Sequence, residues 1–160
     1  MVNLLNDFLN SKKMDLEKLI IAIKSLSMET KPKWGKMNSS QMLWHCKMFI
    51  ILYRNEKNYH PNLMTKTFGY LHLCFLKYII KWDYNKYPKN TFSLNFFNPK
   101  RAKNIDFEKE RMNLIEKLKM VNEFEKNYVI NPMHGKVSKE IFKEVIRGHT
   151  AYHLNQFGVL

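Results

Sequence analysis

"MLWHCKMFIILY", residues 42–53, reads as a helix with no polar face. Met42, Leu43, Trp44, Met48, Phe49, Ile50, Ile51 and Leu52 cover nearly every azimuth, and a helix that is apolar all round must be buried all round. Such a helix needs others packed about it, so the stretch predicts a helical bundle. Asn38, Ser39 or Ser40, just before it, can each serve as N-cap. His45 stands in its middle, an imidazole in surroundings that otherwise exclude polar groups.

Three further segments carry helical periodicity, and strand-like alternation is nearly absent. From about Met14 to Ser27, Leu16, Leu19, Ile20, Ile23 and Leu26 form one stripe, and Asp15 and Glu17 suit the helix dipole at its start. Pro32 then interrupts the chain. From Asp106, a plausible N-cap, to Phe124, the residues Phe107, Leu114, Ile115, Leu118, Val121 and Phe124 face one way. "NPMHGKVS" (131–138) predicts a turn, after which Ser138 caps a last helix whose apolar side begins Ile141, Phe142, Val145, Ile146.

Between the second and third of these helices the chain is harder to read. Phe68–Trp82 is almost continuously apolar, but it falls short of the roughly 20 residues that span a bilayer and has Lys77 and Lys81 within it. It predicts a crossover helix packed on the domain, and its apolar character leaves a homodimer open. Residues 83–104, with Pro88 and Pro99, predict a long irregular connection. The expectation is an all-α single domain over residues 1–160, a four-helix bundle with a long, partly helical crossover.

Composition narrows the function classes. The chain of 160 residues is 45% hydrophobic and 26% charged, with a formal charge of +13. That charge suits association with polyanions, but the lysines are scattered and no RNP-like motif, zinc-finger spacing or helix-turn-helix is visible. No specific nucleic-acid partner is expected. Cys46 and Cys74 are too few for a disulfide framework and lack metal-ligand spacing. No basic, apolar and small-residue pattern opens the chain, so export is not expected and the location read is cytoplasmic.

The last helix holds the chemistry. Continuing from Phe142 and Ile146 by helical steps reaches His149, then His153, then Phe157, so both imidazoles point inward. Residues four apart lie ~40° apart in azimuth and ~6 Å along the axis, so both rings can reach one ion. His45 is a third buried imidazole on a helix the bundle must bring near. Left unpaired, each would cost on the order of 1–3 kcal/mol. A divalent ion satisfies all three, and three protein ligands with an open position is a catalytic arrangement. Thr150 stands where a zincin peptidase places its Glu base, which excludes that class.

Other residues can join this pocket. Gln41, one turn before His45, and Gln156, three after His153, can line it or serve as packing amides. Tyr152 can donate to a substrate, or only satisfy its own hydroxyl at a helix interface. His134, in the turn before the last helix, can reach the pocket mouth. Cys46 points about 100° from His45 and reads as core. His60 reads as a loop residue and His72 as a packed or surface histidine.

"WGKMNSSQMLWHC" (34–46), "YPKNTF" (87–92), "DFEKERMNLIEKL" (106–118), "HGKVSKE" (134–140) and "HTAYHLNQFG" (149–158) occur in the order found in a branch of the DinB/YfiT-like superfamily whose members end in a motif such as "HLDHHLRQFG". The chain resembles that branch from about residue 14 onward. The resemblance implies a DinB-like four-helix bundle binding zinc or nickel, or else iron or manganese, through His45, His149 and His153. It also implies thiol-dependent transferase or isomerase chemistry with a low-molecular-weight thiol such as bacillithiol, mycothiol or glutathione, alongside relatives without known activity. Thr150 and Ala151 replace the usual Leu-Asp, so an Asp that could orient a ligand is missing. Tyr152 replaces a His, and His134 takes a position that is usually aromatic.

The sequence thus predicts a metal-dependent S-transferase-like or hydrolase-like enzyme acting on a small molecule. The alternatives are a basic module for nucleic acid or acidic membrane, and a non-catalytic bundle with a vestigial metal site.

Overall fold

The computed structural model describes residues 15–56, 58, 60, 63, 65–90, 98–99 and 104–160. Among these the chain is mainly helical. α1 is Leu16–Ser25, α2 Ser39–Tyr53, α3 the short Tyr70–Cys74, α4 Phe107–Asn122 and α5 Lys139–Gln156. Met14, and Thr91 and Phe92 of the "YPKNTF" block, lie outside the described residues, as does most of the expected irregular connection after Asn90.

The long helices start where their caps require. Asn38 is the N-cap of α2: its Oδ1 accepts from Gln41 N–H at 2.8 Å, and its own N–H donates to Gln41 Oε1 at 3.0 Å. This reciprocal capping box satisfies two donors that a helix start leaves open. Asp106 Oδ1 accepts from Lys109 N–H at 2.9 Å, and Ser138 Oγ from Ile141 N–H at 3.4 Å. At the other end of α1, Arg111 Nη1 donates to the carbonyls of Lys24 (3.3 Å) and Leu26 (3.1 Å). A guanidinium there answers carbonyls that have no helical partner and ties α1 to α4.

α1, α2, α4 and α5 pack on one another around a shared core. α2 runs through it as its all-apolar sequence requires, burying Met42, Leu43, Cys46, Phe49, Ile50, Leu52 and Tyr53. α1 contributes Leu19, Ala22 and Ile23, α4 Leu114, Leu118 and Val121, and α5 Phe142, Val145 and Ile146. Tyr53 stacks on Phe142, and Phe124 meets the same ring edge-on. At the margin of this core Lys47 Nζ contacts Glu110 Oε1 at 2.8 Å, an ion pair joining α2 to α4.

Two features depart from the expected architecture. "NPMHGKVS" is more than a turn: β1 (Tyr128–Asn131) and β2 (Gly135–Ser138) form an antiparallel hairpin in the register Tyr128↔Ser138 to Asn131↔Gly135. Its turn is held by Asn131, whose Oδ1 accepts from the N–H groups of Met133 (3.0 Å) and His134 (2.8 Å) while Nδ2 donates to Gly135 O at 3.0 Å. Each strand alternates over only four residues, too few to stand out against helical patterning.

The crossover is helical, as expected, but unusually wound. Thr65–Gly69 and Phe75–Ile80 are π-helical and flank α3. It ends with Lys81 and Trp82 both at positive φ, the Trp82 N–H reaching back to Leu76 O at 3.1 Å. Leu76 and Ile80 are buried, whereas Phe68, Tyr70, Leu71, Tyr78 and Ile79 are exposed. Gly69 passes so close to the hairpin turn that a Cβ there would lie 2.1 Å from Met133 O. Among the described residues no helix is long and apolar enough to cross a membrane.

Candidate metal centre

α2 and α5 bring His45, His149 and His153 together. One ring nitrogen from each lies within 4.8 Å of the others. The His45 ring is 5.1 Å from His149, stacked, and 4.7 Å from His153, edge-on; His149 and His153 are 4.7 Å apart. His45 and His153 are buried, and His149 partly so. Burial and the neighbouring imidazoles hold His149 well below its ordinary pKa, and the same causes push His153 down to about 3. Neutral imidazole is the form that binds a metal.

Each ring of the α5 pair is held in place by a different device. Phe49, one turn on from His45, stacks on His149 at 3.8 Å between centroids and 9° between planes. The His149 Nδ1 is buried without a hydrogen-bond partner, an orphan that a bound cation would satisfy. His153 Nδ1 pairs with Gln156 Oε1 at 2.8 Å, and Gln156 Nε2 donates to Trp34 O at 2.7 Å. The carbonyl fixes which end of the amide faces the ring, so Nδ1 is the donor and Nε2 keeps its lone pair. Gln156 therefore orients the His153 imidazole, an orienting role for which the sequence lacks the Asp that the resemblance leads one to expect. The approach needs Gly35, which sits at φ +83° and whose Cβ would come within 2.5 Å of Gln156 Nε2.

The trio lines a cavity of about 480 Å³ whose walls include Phe49, Phe75, Leu76, Met133 and Val145. The other sequence candidates divide. Gln156, Tyr152 and His134 line this cavity. Gln41 is engaged in the capping box of α2 and does not. Tyr152 packs edge-on to His153 and donates its hydroxyl to Pro88 O at 3.1 Å, satisfying itself on the backbone. Cys46 is fully buried core, with a thiol pKa raised by desolvation, and His60 is exposed.

Two lining residues were not evident from the sequence. Tyr87 has a buried hydroxyl without a partner, and burial, then Glu144 and Asp83, pushes its pKa up to about 12. His72 is exposed, as the reading of a packed or surface histidine allows, but it also lines the cavity and pairs through Nδ1 with His134 Nε2 at 2.9 Å. A histidine in an apolar run of unclear period gave no sign of its direction, and its partner lies 62 residues on.

Three converging imidazoles, two of them held below their ordinary pKa and one with an orphaned nitrogen, fit a borderline divalent ion such as zinc or nickel. No curated protein and no solved structure matches the chain. The family model described as "Protein of unknown function (DUF1569)" matches residues 9–159, and the chain belongs to that family.

Proposed function

We propose that this chain is a divalent-metal-dependent enzyme acting on a small molecule, built on a DinB-like four-helix scaffold. The observation that carries the reading is the convergence of His45, His149 and His153 within 4.8 Å at a cavity of about 480 Å³. It is further supported by the order of the elements: one histidine on α2, two on the final helix, and mutual packing of α1, α2, α4 and α5.

His45, His149 and His153 would hold the ion, with zinc or nickel suiting an all-imidazole set better than manganese. When bound, such an ion supplies Lewis acidity that makes a water or a thiol nucleophilic at neutral pH. The protein's own residues prepare the rest. Gln156 keeps His153 in one tautomer, Phe49 holds the plane of His149, and apolar side chains line much of the cavity. Tyr87 keeps an unused phenol hydrogen at the same cavity. A thiol-dependent S-transferase-like reaction and a hydrolysis both suit this equipment.

Elemental analysis of untagged protein, wild type against His149→Ala, tests the site. About one equivalent of zinc or nickel is expected in the wild type and a loss of most of it in the variant. A wild type that stays metal-free after reconstitution overturns the reading. Turnover with glutathione, mycothiol or bacillithiol as co-substrate separates an enzyme from a vestigial site. The alternative basic module rests on the +13 charge alone; it requires polyanion binding that weakens steeply with salt and survives loss of the histidines. A homodimer is supported by the exposed Phe68, Tyr70, Leu71, Tyr78 and Ile79 of the crossover, and sedimentation over a concentration series tests it.

A further inference from the structure

On another wall of the cavity lies a hydrogen-bond chain in which the metal ligands take no part. Tyr53 Oη and His134 Nδ1 are 2.8 Å apart, and His134 Nε2 and His72 Nδ1 are 2.9 Å apart. Tyr53 is fully buried in the core and His134 nearly so, whereas His72 is exposed; His72 and His134 both line the cavity. The chain joins three elements: α2, the hairpin turn and the crossover.

Its direction is set by the donors available. The Asn131 Oδ1 is occupied by the N–H groups of Met133 and His134, which fixes Nδ2 as the end that donates to Gly135 O. Asn131 Oδ1, already accepting two bonds, is not an acceptor for the Tyr53 hydroxyl. The Tyr53 hydrogen then needs an acceptor in fully buried surroundings, and His134 Nδ1 is the one at hand. A His134 that accepts at Nδ1 carries its proton on Nε2 and passes it to His72 Nδ1. His72 in turn carries its proton on Nε2, the nitrogen the chain leaves unused. Reversing the order would leave a buried hydroxyl hydrogen without an acceptor, at a cost that buried polar groups rarely bear.

We propose that Tyr53, His134 and His72 form a donor line of fixed polarity that presents His72 Nε2–H to a carbonyl oxygen of the ligand, making this cavity a site for small, mainly apolar carbonyl compounds. Burial, with His72 beside it, lowers His134 to about 3, whereas His72 itself is exposed and only its partly desolvated ring is lowered in the same direction. A neutral imidazole can polarise a carbonyl without giving up its proton. Successive donors along one line polarise each other, which strengthens the last. The apolar partners of such a ligand are Phe49, Phe75, Leu76, Met133 and Val145. The inference rests on the cavity being a ligand site, as proposed above, but on no ion.

Long-range nitrogen NMR of the histidine rings in the full chain at neutral pH reads the tautomers directly, and hexanamide serves as the probe. His134 and His72 are both expected as the Nε2–H form, and hexanamide should shift the His72 Nε2–H signal. In His72→Phe, hexanamide should bind roughly threefold to tenfold more weakly, the range for one lost neutral hydrogen bond. Tyr53→Phe should release His134 from its single tautomer; if that variant does not fold, the wild-type tautomers still decide. A wild-type His134 in the Nδ1–H form overturns the proposal, as does unchanged hexanamide affinity in His72→Phe. A protein that binds no ion yet shows these tautomers and the probe shift fails the metal reading and keeps this one. A protein that binds the ion but carries His134 as Nδ1–H does the reverse.

Discussion

An amide whose nitrogen donates to a backbone carbonyl cannot turn round without losing that bond, and Gln156 is held so by Trp34 O. Its oxygen must therefore face His153, and the imidazole must keep its lone pair on the far nitrogen. Gln156→Leu should leave the ring free to flip and lower zinc affinity by about 10- to 100-fold, measured by competition with a chelating dye. Unchanged affinity would mean that packing alone orients the ring. A second consequence concerns pH. His134 titrates at about 3 when folded against about 6.5 when unfolded. The unfolded chain takes up the proton first, so this contribution to stability is complete above about 6.5 and is lost as pH falls toward 3. Urea midpoints should decline through that window, and His134→Gln should remove up to about 1.4 kcal/mol per pH unit of the slope. An identical slope in the variant would contradict the burial argument.

At the scale of elements, the crossover and the hairpin are fitted to each other at Gly69. With Met133 O only 2.1 Å from where a Cβ would sit, Gly69→Ala must push the two apart. The expected result is a loss on the order of 1–3 kcal/mol in denaturant unfolding, together with loss of the His72–His134 nitrogen coupling. A neutral substitution would show that the turn yields freely. The four long helices were legible because their signals are local: Asn38, Asp106 and Ser138 each cap the helix they precede. The hairpin was not, because four-residue strands around Val129 and Val137 carry only two cycles of alternation each. Nor was the winding of Thr65–Gly69 and Phe75–Ile80, since π turns repeat on a longer step than the 3.6-residue pattern used to recognise helices.

At the scale of the whole molecule, one apolar cluster serves all four long helices, and Phe142 joins their parts through Tyr53 and Phe124. Phe142→Ala should cost about 3–5 kcal/mol by chemical denaturation. A much smaller loss would mean that the core collapses onto the gap. The same connectivity explains how much of the site could be read in advance. His45 and the HxxxH of α5 were legible together because each stood on a helix whose burial the sequence dictated, and two buried helices of one small core must meet. His72 and Tyr87 were not, since their directions depend on how the crossover lies against the hairpin and how the segment after it lies against α5, which no local pattern encodes.

The two π stretches also give the crossover slack of a definite size. Each closes its hydrogen bonds over one residue more than α geometry does. Tightening either one would click the chain forward by a single residue, turning the downstream residues by about 100° and advancing them ~1.5 Å. His72 lies between them, with solvent on the outer side at Tyr70, Leu71 and Tyr78. A ratchet of that kind would unhook the imidazole from His134 and leave α2 and α5 undisturbed.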